Sequence, residues 1–124
     1  MSDAGAIKDS FKKELNNLAV QWEELGHSEE RILDVELVIK SPGIPEKAPL
    51  VKKLREKGVK IISEIEFAGY YNTAKTICIT GSNGKTTTTM LTHHILKKAG
   101  IRVGLAGNVG ASFAKQVAEE EFDW

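Results

Sequence analysis

Hydrophobic positions fall in short clusters, some at helical spacing and some as apolar runs, and the alternation of the two sets the expected architecture. In "DSFKKELNNLA", Phe11, Leu15 and Leu18 recur at i, i+4 and i+7, which places them on one face of a helix starting at Asp9. Asp9 or Ser10 stands where a capping residue belongs. "VQWEEL" is a strand candidate, and Ser28 is placed to cap a short helix over residues 29–33. "ELVIK" at 36–40 reads as an apolar strand. It stops at "SPGIP", because Pro42 and Pro45 lack the N–H a ladder needs. "EKAPLVKKLREKG" then predicts a helix, with Pro49 in its first turn and Gly58 as its stop. "VKIIS" is the next strand, "EIEFAGYY" a turn or two of helix, and "NTAK" a polar connection.

The second half repeats the alternation. "TICIT" predicts a strand, followed by a glycine loop and a helix from about 85 to 99 that Gly100 ends. Then come a strand "IRVGLA", the loop "GNVG" and a helix over "ASFAKQVAEEE". Strands alternating with helices imply an α/β fold of parallel βαβ units. The polar connection sets the expected domain boundary, with residues 1–73 on one side and 74–124 on the other. A doubly wound domain usually opens on a strand, whereas this sequence opens on a loop and helix. At the other end, "FDW" stands where a further strand should begin. The expectation is an internal piece of a longer chain.

The chemistry concentrates in "ITGSNGKTTTTM", residues 79–90. The strict phosphate-loop pattern is G-x-x-x-x-G-K-[ST], and here the first glycine stands two positions closer, as G-x-x-G-K-[ST]. By composition alone such a hexamer arises about once in a hundred shuffled sequences, so its setting between a β-branched strand and a helix carries the argument. Gly81 and Gly84 let the backbone turn its N–H groups toward an anion, with Ser82 and Asn83 between them. The unpaired N–H groups of the following helix add partial positive charge at the same place. Lys85 supplies a mobile cation for the β- and γ-phosphates, and Thr86 a hydroxyl for Mg²⁺. The competing reading is a plain Asn83-Gly84 turn and helix cap. Such a turn needs no lysine, and the β-branched run from Thr86 and Thr87 to Thr89 is a poor way to open a helix.

This short form resembles the phosphate loop of the Mur ligase family, a family sharing its domain and a similar loop with folylpolyglutamate synthases. "ELVIKSPGIPEKAPLVKKLREKGVKIISEIEF" resembles the N-terminal domain of the D-glutamate-adding branch, and "GLAGNVG" is similar to the central-domain Gly-Asn-[IV]-Gly loop. The resemblance covers nearly the whole sequence. It implies part of a Rossmann-like N-terminal UDP-sugar-binding domain (its first strand and glycine turn lying before Met1), followed by the start of a P-loop-type central ATPase domain. The implied reaction is ATP-dependent addition of D-glutamate to UDP-N-acetylmuramoyl-L-alanine through an acyl phosphate, in peptidoglycan precursor synthesis. By position, Ser41, Pro42 and Gly43 would meet the substrate's diphosphate, Asn108 would lie by the same substrate, and Asp3 would pair with uracil. Lys85 would be catalytic, with Gly81, Ser82, Asn83, Gly84, Thr86 and Thr87 around ATP and Thr86 on the metal. The family's metal-binding glutamate and C-terminal domain would follow Trp124, so the isolated chain is expected to be inactive. Two alternatives remain open here: another ligase of this superfamily, or a stand-alone nucleotide-binding module.

Composition changes this picture little. Seventeen basic residues balance seventeen acidic ones, which gives no support to a nucleic-acid footprint. No apolar run reaches membrane-spanning length and the N-terminus has no signal core, so a cytoplasmic protein without a membrane or obligate protein partner is expected. Cys78, the single cysteine, sits in an apolar run and is expected to be buried and inert. His93 and His94 have no acid or cysteine at ligand spacing, and His27 flanks a turn. All three read as structural or solvated. Lys52, Lys53, Arg55 and Lys57 read as a solvated helix face.

Overall fold

A computed structural model describes residues 1–124. It is mixed α/β, with six helices and one small parallel sheet, and it divides into two compact units. Met1–Val38 and Gly43–Ile61 make the first unit, Ile39–Pro42 and Ile62–Trp124 the second. No helix is long and apolar enough to cross a membrane.

In the first unit, helix α1 spans Asp9–Asn17. Its capping position is taken by Lys8 in extended geometry, so Asp9 lies in the first turn and neither Asp9 nor Ser10 caps. The predicted apolar face forms only in part: Leu15 is half-buried, Phe11 is 54% exposed, and Leu18, 68% exposed, stands just past the end of the helix. Periodicity specifies a face, whereas burial needs a second surface against it. The candidate strand at 20–25 finds its partner in the first residues. Ser2 and Glu23 form a parallel bridge, with Asp3 N–H donating to Glu23 O at 3.1 Å. Apart from this one bridge the residues before α1 form no regular element, as expected of an opening loop and helix. Glu24 ties the region together, accepting from Ile7 N–H at 2.7 Å and from Lys12 Nζ at 2.7 Å. The Lys12 bond holds the Glu24 carboxyl below its ordinary range and raises the Lys12 ammonium. Hydrogen bonds from Ser2 and Ser28 lower Glu23 to about 2.

Helix α2 spans Glu29–Leu33, with Ser28 at its cap position but no side-chain capping bond. Strand β1 is Leu37–Ile39, helix α3 Pro49–Glu56 and strand β2 Lys60–Ile62. Pro49 stands in the first turn of α3, where its missing N–H costs nothing, and Gly58 takes φ 74° just past its end. Val51 and Leu54, one turn apart, are buried with Ile7 as the core of this unit. Lys53 pairs with Glu29 of α2 at 2.5 Å, and Arg55 with Glu46 at 2.5 Å. The basic run is an exposed, partly ion-paired face.

In the second unit, helix α4 covers Glu64–Gly69. Its cap, Ser63, accepts from Glu66 N–H at 3.1 Å, while Glu66 Oε1 accepts from the Tyr70 hydroxyl at 3.0 Å. Helix α5 spans Lys85–Lys98 and helix α6 Phe113–Glu119, the latter packed beside α4. Ile62 and Ala68 are the buried apolar residues.

Besides the candidate at 20–25, which carries only the isolated Ser2–Glu23 bridge, two further expected strands do not form. Residues 76–80 are extended without ladder partners, and residues 101–106 carry only an isolated Ala106–Ala111 bridge. A strand exists only through its neighbours, and these segments have few. Residues 123 and 124 supply part of that pairing. Lys75 N–H donates to Asp123 O, Asp123 N–H to Arg102 O, and Gly104 N–H to Trp124 O, at 3.1, 2.8 and 2.9 Å. Arg102 also pairs with Asp123 at 3.0 Å, which lowers the Asp123 carboxyl. Cys78 is exposed rather than buried, in a segment that belongs to no sheet and so has no sheet face for another layer to pack on.

Candidate functional site

The glycine loop is built around two positive-φ positions. Gly81 has φ 148° and Gly84, the residue before α5, has φ 74° in the left-handed region. A side chain at Gly84 would be strained, whatever the space around it. The reversal there carries the chain into a fourteen-residue helix, whose first backbone bond runs from Thr88 N–H to Gly84 O at 2.9 Å. Helices α4 and α6 are capped by Ser63 and Ser112, but no side chain caps α5. Its first-turn N–H groups are therefore presented at the loop with no side chain competing for them.

Lys85 folds back over this loop. Its ammonium donates to Gly81 O, and to Ser82 O at 3.1 Å. Loop carbonyls thus hold the cation over the loop. Residues 81–88 are exposed, including Thr86 and Thr87. No cluster of three His, Cys, Asp or Glu side chains converges on a metal position. A Mg²⁺ ion here would be held by the Thr86 hydroxyl, phosphate oxygens and water, a donor set that suits this cation.

Lys85 and Thr86 line a cavity of about 580 Å³ within the second unit, which Asn108 also lines. Ile77, Val103 and Leu105 are among its apolar walls, and His93 faces it from α5. Asn108 stands in a loop whose glycines, Gly107 and Gly110, have φ 112° and 90°. Two residues not singled out from the sequence shape this loop. Gln116 of α6 bonds both sides of Leu105, and Glu64 of α4 bonds the first turn of α6. Nothing local marks Glu64, whose partners lie about fifty positions away. Nor does anything local mark Gln116.

Ser41, Pro42 and Gly43 lie exposed in the turn after β1, with Ser41 and Pro42 in the second unit and Gly43 in the first. Asp3 is exposed in the first unit, one carboxylate oxygen accepting from Gly5 N–H at 2.8 Å. Of the predicted site residues, then, the structure gathers Lys85, Thr86 and Asn108 around one cavity and the loop residues beside them.

Comparison with known proteins gives two family matches. The MurD N-terminal domain matches residues 1–50, and the Mur ligase middle domain matches residues 79–121. Proteins named UDP-N-acetylmuramoylalanine--D-glutamate ligase align along the full chain. The Bacteroides fragilis protein is 61% identical over 124 residues, covering 100% of this chain and 28% of its own length. That of Christiangramia forsetii is 52% identical with the same coverage. The Chlorobaculum parvum protein is 39% identical over 127 residues, covering 99% of this chain and 27% of its own. The chain thus spans little more than a quarter of the relatives it matches.

Proposed function

Because this chain belongs to the Mur ligase family, we propose that it forms the UDP-sugar-binding and phosphate-loop part of a cytoplasmic ligase. The reaction is ATP-dependent addition of D-glutamate to UDP-N-acetylmuramoyl-L-alanine. The observation carrying this reading is the loop itself: Gly84 at left-handed φ, an α5 without side-chain cap, and Lys85 held over loop carbonyls. On this reading residues 1–73 belong to the sugar-nucleotide domain and 74–124 open a P-loop-type ATPase domain.

The roles follow from charge and position. N–H groups from Gly81 to Thr87 receive the phosphates, and Lys85 meets the negative charge that spreads over the transferring phosphoryl group. Mg²⁺, when bound at Thr86, supplies further neutralisation of phosphate charge. The alanyl carboxylate attacks the γ-phosphoryl group of ATP, releasing ADP and giving an acyl phosphate, and the D-glutamate amine then displaces phosphate from the acyl carbon with loss of a proton. Ser41, Pro42 and Gly43 hold the diphosphate of the UDP-sugar, Asn108 meets the same substrate, and Asp3 faces uracil.

Two measurements test this. In the ligase containing these residues, Ser41→Trp should raise KM for the UDP-sugar about tenfold or more while KM for ATP stays within about twofold. Equal losses for both substrates would refute a separate diphosphate site. The purified 124-residue chain should release no phosphate above background from ATP with both other substrates present. D-glutamate-dependent turnover by that chain would show that 28% of the relatives' length suffices.

A further inference from the structure

We propose that Gln116 and Glu64 form a two-part clamp that sets the shape of residues 104–111 and so positions Asn108. The inference rests on the substrate-side role proposed for Asn108. Gln116 Oε1 accepts from Leu105 N–H at 3.1 Å, and its Nε2 donates to Leu105 O at 2.7 Å and Ala111 O at 3.4 Å. A single side-chain amide thereby bonds both backbone groups of Leu105, as a neighbouring strand would, and also reaches the far end of the loop. Only a carboxamide offers one acceptor and two donors in this arrangement. Ala111 N–H closes the loop onto Leu105 O at 3.3 Å.

The loop's glycines fit the clamp. A Cβ at Gly104 would lie 2.8 Å from Gln116 Oε1 and 3.2 Å from the Phe122 ring. A Cβ at Gly110 would overlap the Leu105 carbonyl. Both glycines admit the close approach that the amide holds in place. Asn108 lies between the two points where Gln116 grips the backbone.

Glu64 fixes the helix that carries Gln116. Its Oε1 accepts from the Ser112 hydroxyl at 2.6 Å and from Ala114 N–H at 2.7 Å. Ser112 Oγ in turn accepts from Lys115 N–H at 3.2 Å. A carboxylate at this end also suits the helix dipole. No residue of α6 is fully buried, so these polar bonds do much to determine where it sits. Ser63 caps α4 with its own side chain, which leaves Glu64 free to reach across.

The test is amide exchange and steady-state kinetics on the ligase containing these residues. In Gln116→Leu, exchange at Leu105 and Ala111 should quicken about tenfold, while amides of α5 stay unchanged. KM for the UDP-sugar should rise about tenfold, with kcat and KM for ATP within about twofold. Glu64→Ala should give the same pattern, and Glu64→Gln, which keeps an acceptor, should restore most of it. The Glu64 pair carries the test if Gln116→Leu does not fold. Unchanged exchange at Leu105 and Ala111 overturns the clamp, whatever the kinetics. Quickened exchange with an unchanged UDP-sugar KM overturns the link to Asn108. Asn108→Ala then distinguishes the causes: a raised KM leaves Asn108's own role standing, and an unchanged KM removes that role as well.

Discussion

Lys85→Ala in the ligase is expected to lower turnover by roughly a hundred- to a thousandfold. The substitution removes the one side-chain cation at the loop, while the left-handed Gly84 and the uncapped start of α5 remain. Groups that stabilise charge on a transferring phosphoryl group are worth about 3–4 kcal/mol in the transition state, which sets that range. KM for the UDP-sugar should change little, since Ser41, Gly43 and Asn108 are the residues proposed to hold it. Folding should also change little, because Lys85 is exposed and packs in no core. Steady-state kinetics with each substrate varied in turn, beside a thermal melt, checks all three statements. Near-normal turnover would mean that residues 81–87 are not the phosphate site.

The second large effect is structural. Gly110→Ala should destabilise the loop around Asn108 by about 2–4 kcal/mol. Two costs add. Gly110 has φ 90°, where a Cβ costs about 1 kcal/mol. The new methyl would also overlap the Leu105 carbonyl, and forced overpacking typically costs about 1–3 kcal/mol. Gly107→Ala is the matched control. It too has positive φ, at 112°, but a Cβ there meets nothing within 4 Å, so only the backbone cost applies. Urea melts of the two variants should therefore differ by about 1–3 kcal/mol. Equal melts would mean that Gly110 is not pressed against Leu105 in solution.

Legibility in the sequence followed the range of the interactions involved. The helices α3 and α5 were readable because Pro49, Gly58, Gly84 and Gly100 punctuate them locally. The short strands β1 and β2 were readable as apolar runs between such stops. The glycine-lysine motif was readable as well, since small residues, a lysine and a following helix lie within six positions, and the structure has the helix start at Lys85 after two positive-φ glycines. Where sequence reasoning overreached, the missing element was a partner. Residues 76–80 have the β-branched composition of a strand but no ladder, and Cys78 is exposed as a result. Phe11 and Leu18 have helical spacing but no covering surface.

The sequence by itself determined the order of helices and extended segments, the left-handed turn at Gly84, and through its motifs the family. Each depends on backbone preferences and side-chain types within a few residues. Only the tertiary structure decided how the Asn108 loop is held. Glu64 meets Ala114 across fifty positions, and Gln116 meets Leu105 across eleven. Neither pairing leaves a local trace, because a glutamate at a helix start and a glutamine on a polar helix are ordinary residues until a partner stands within about 3 Å.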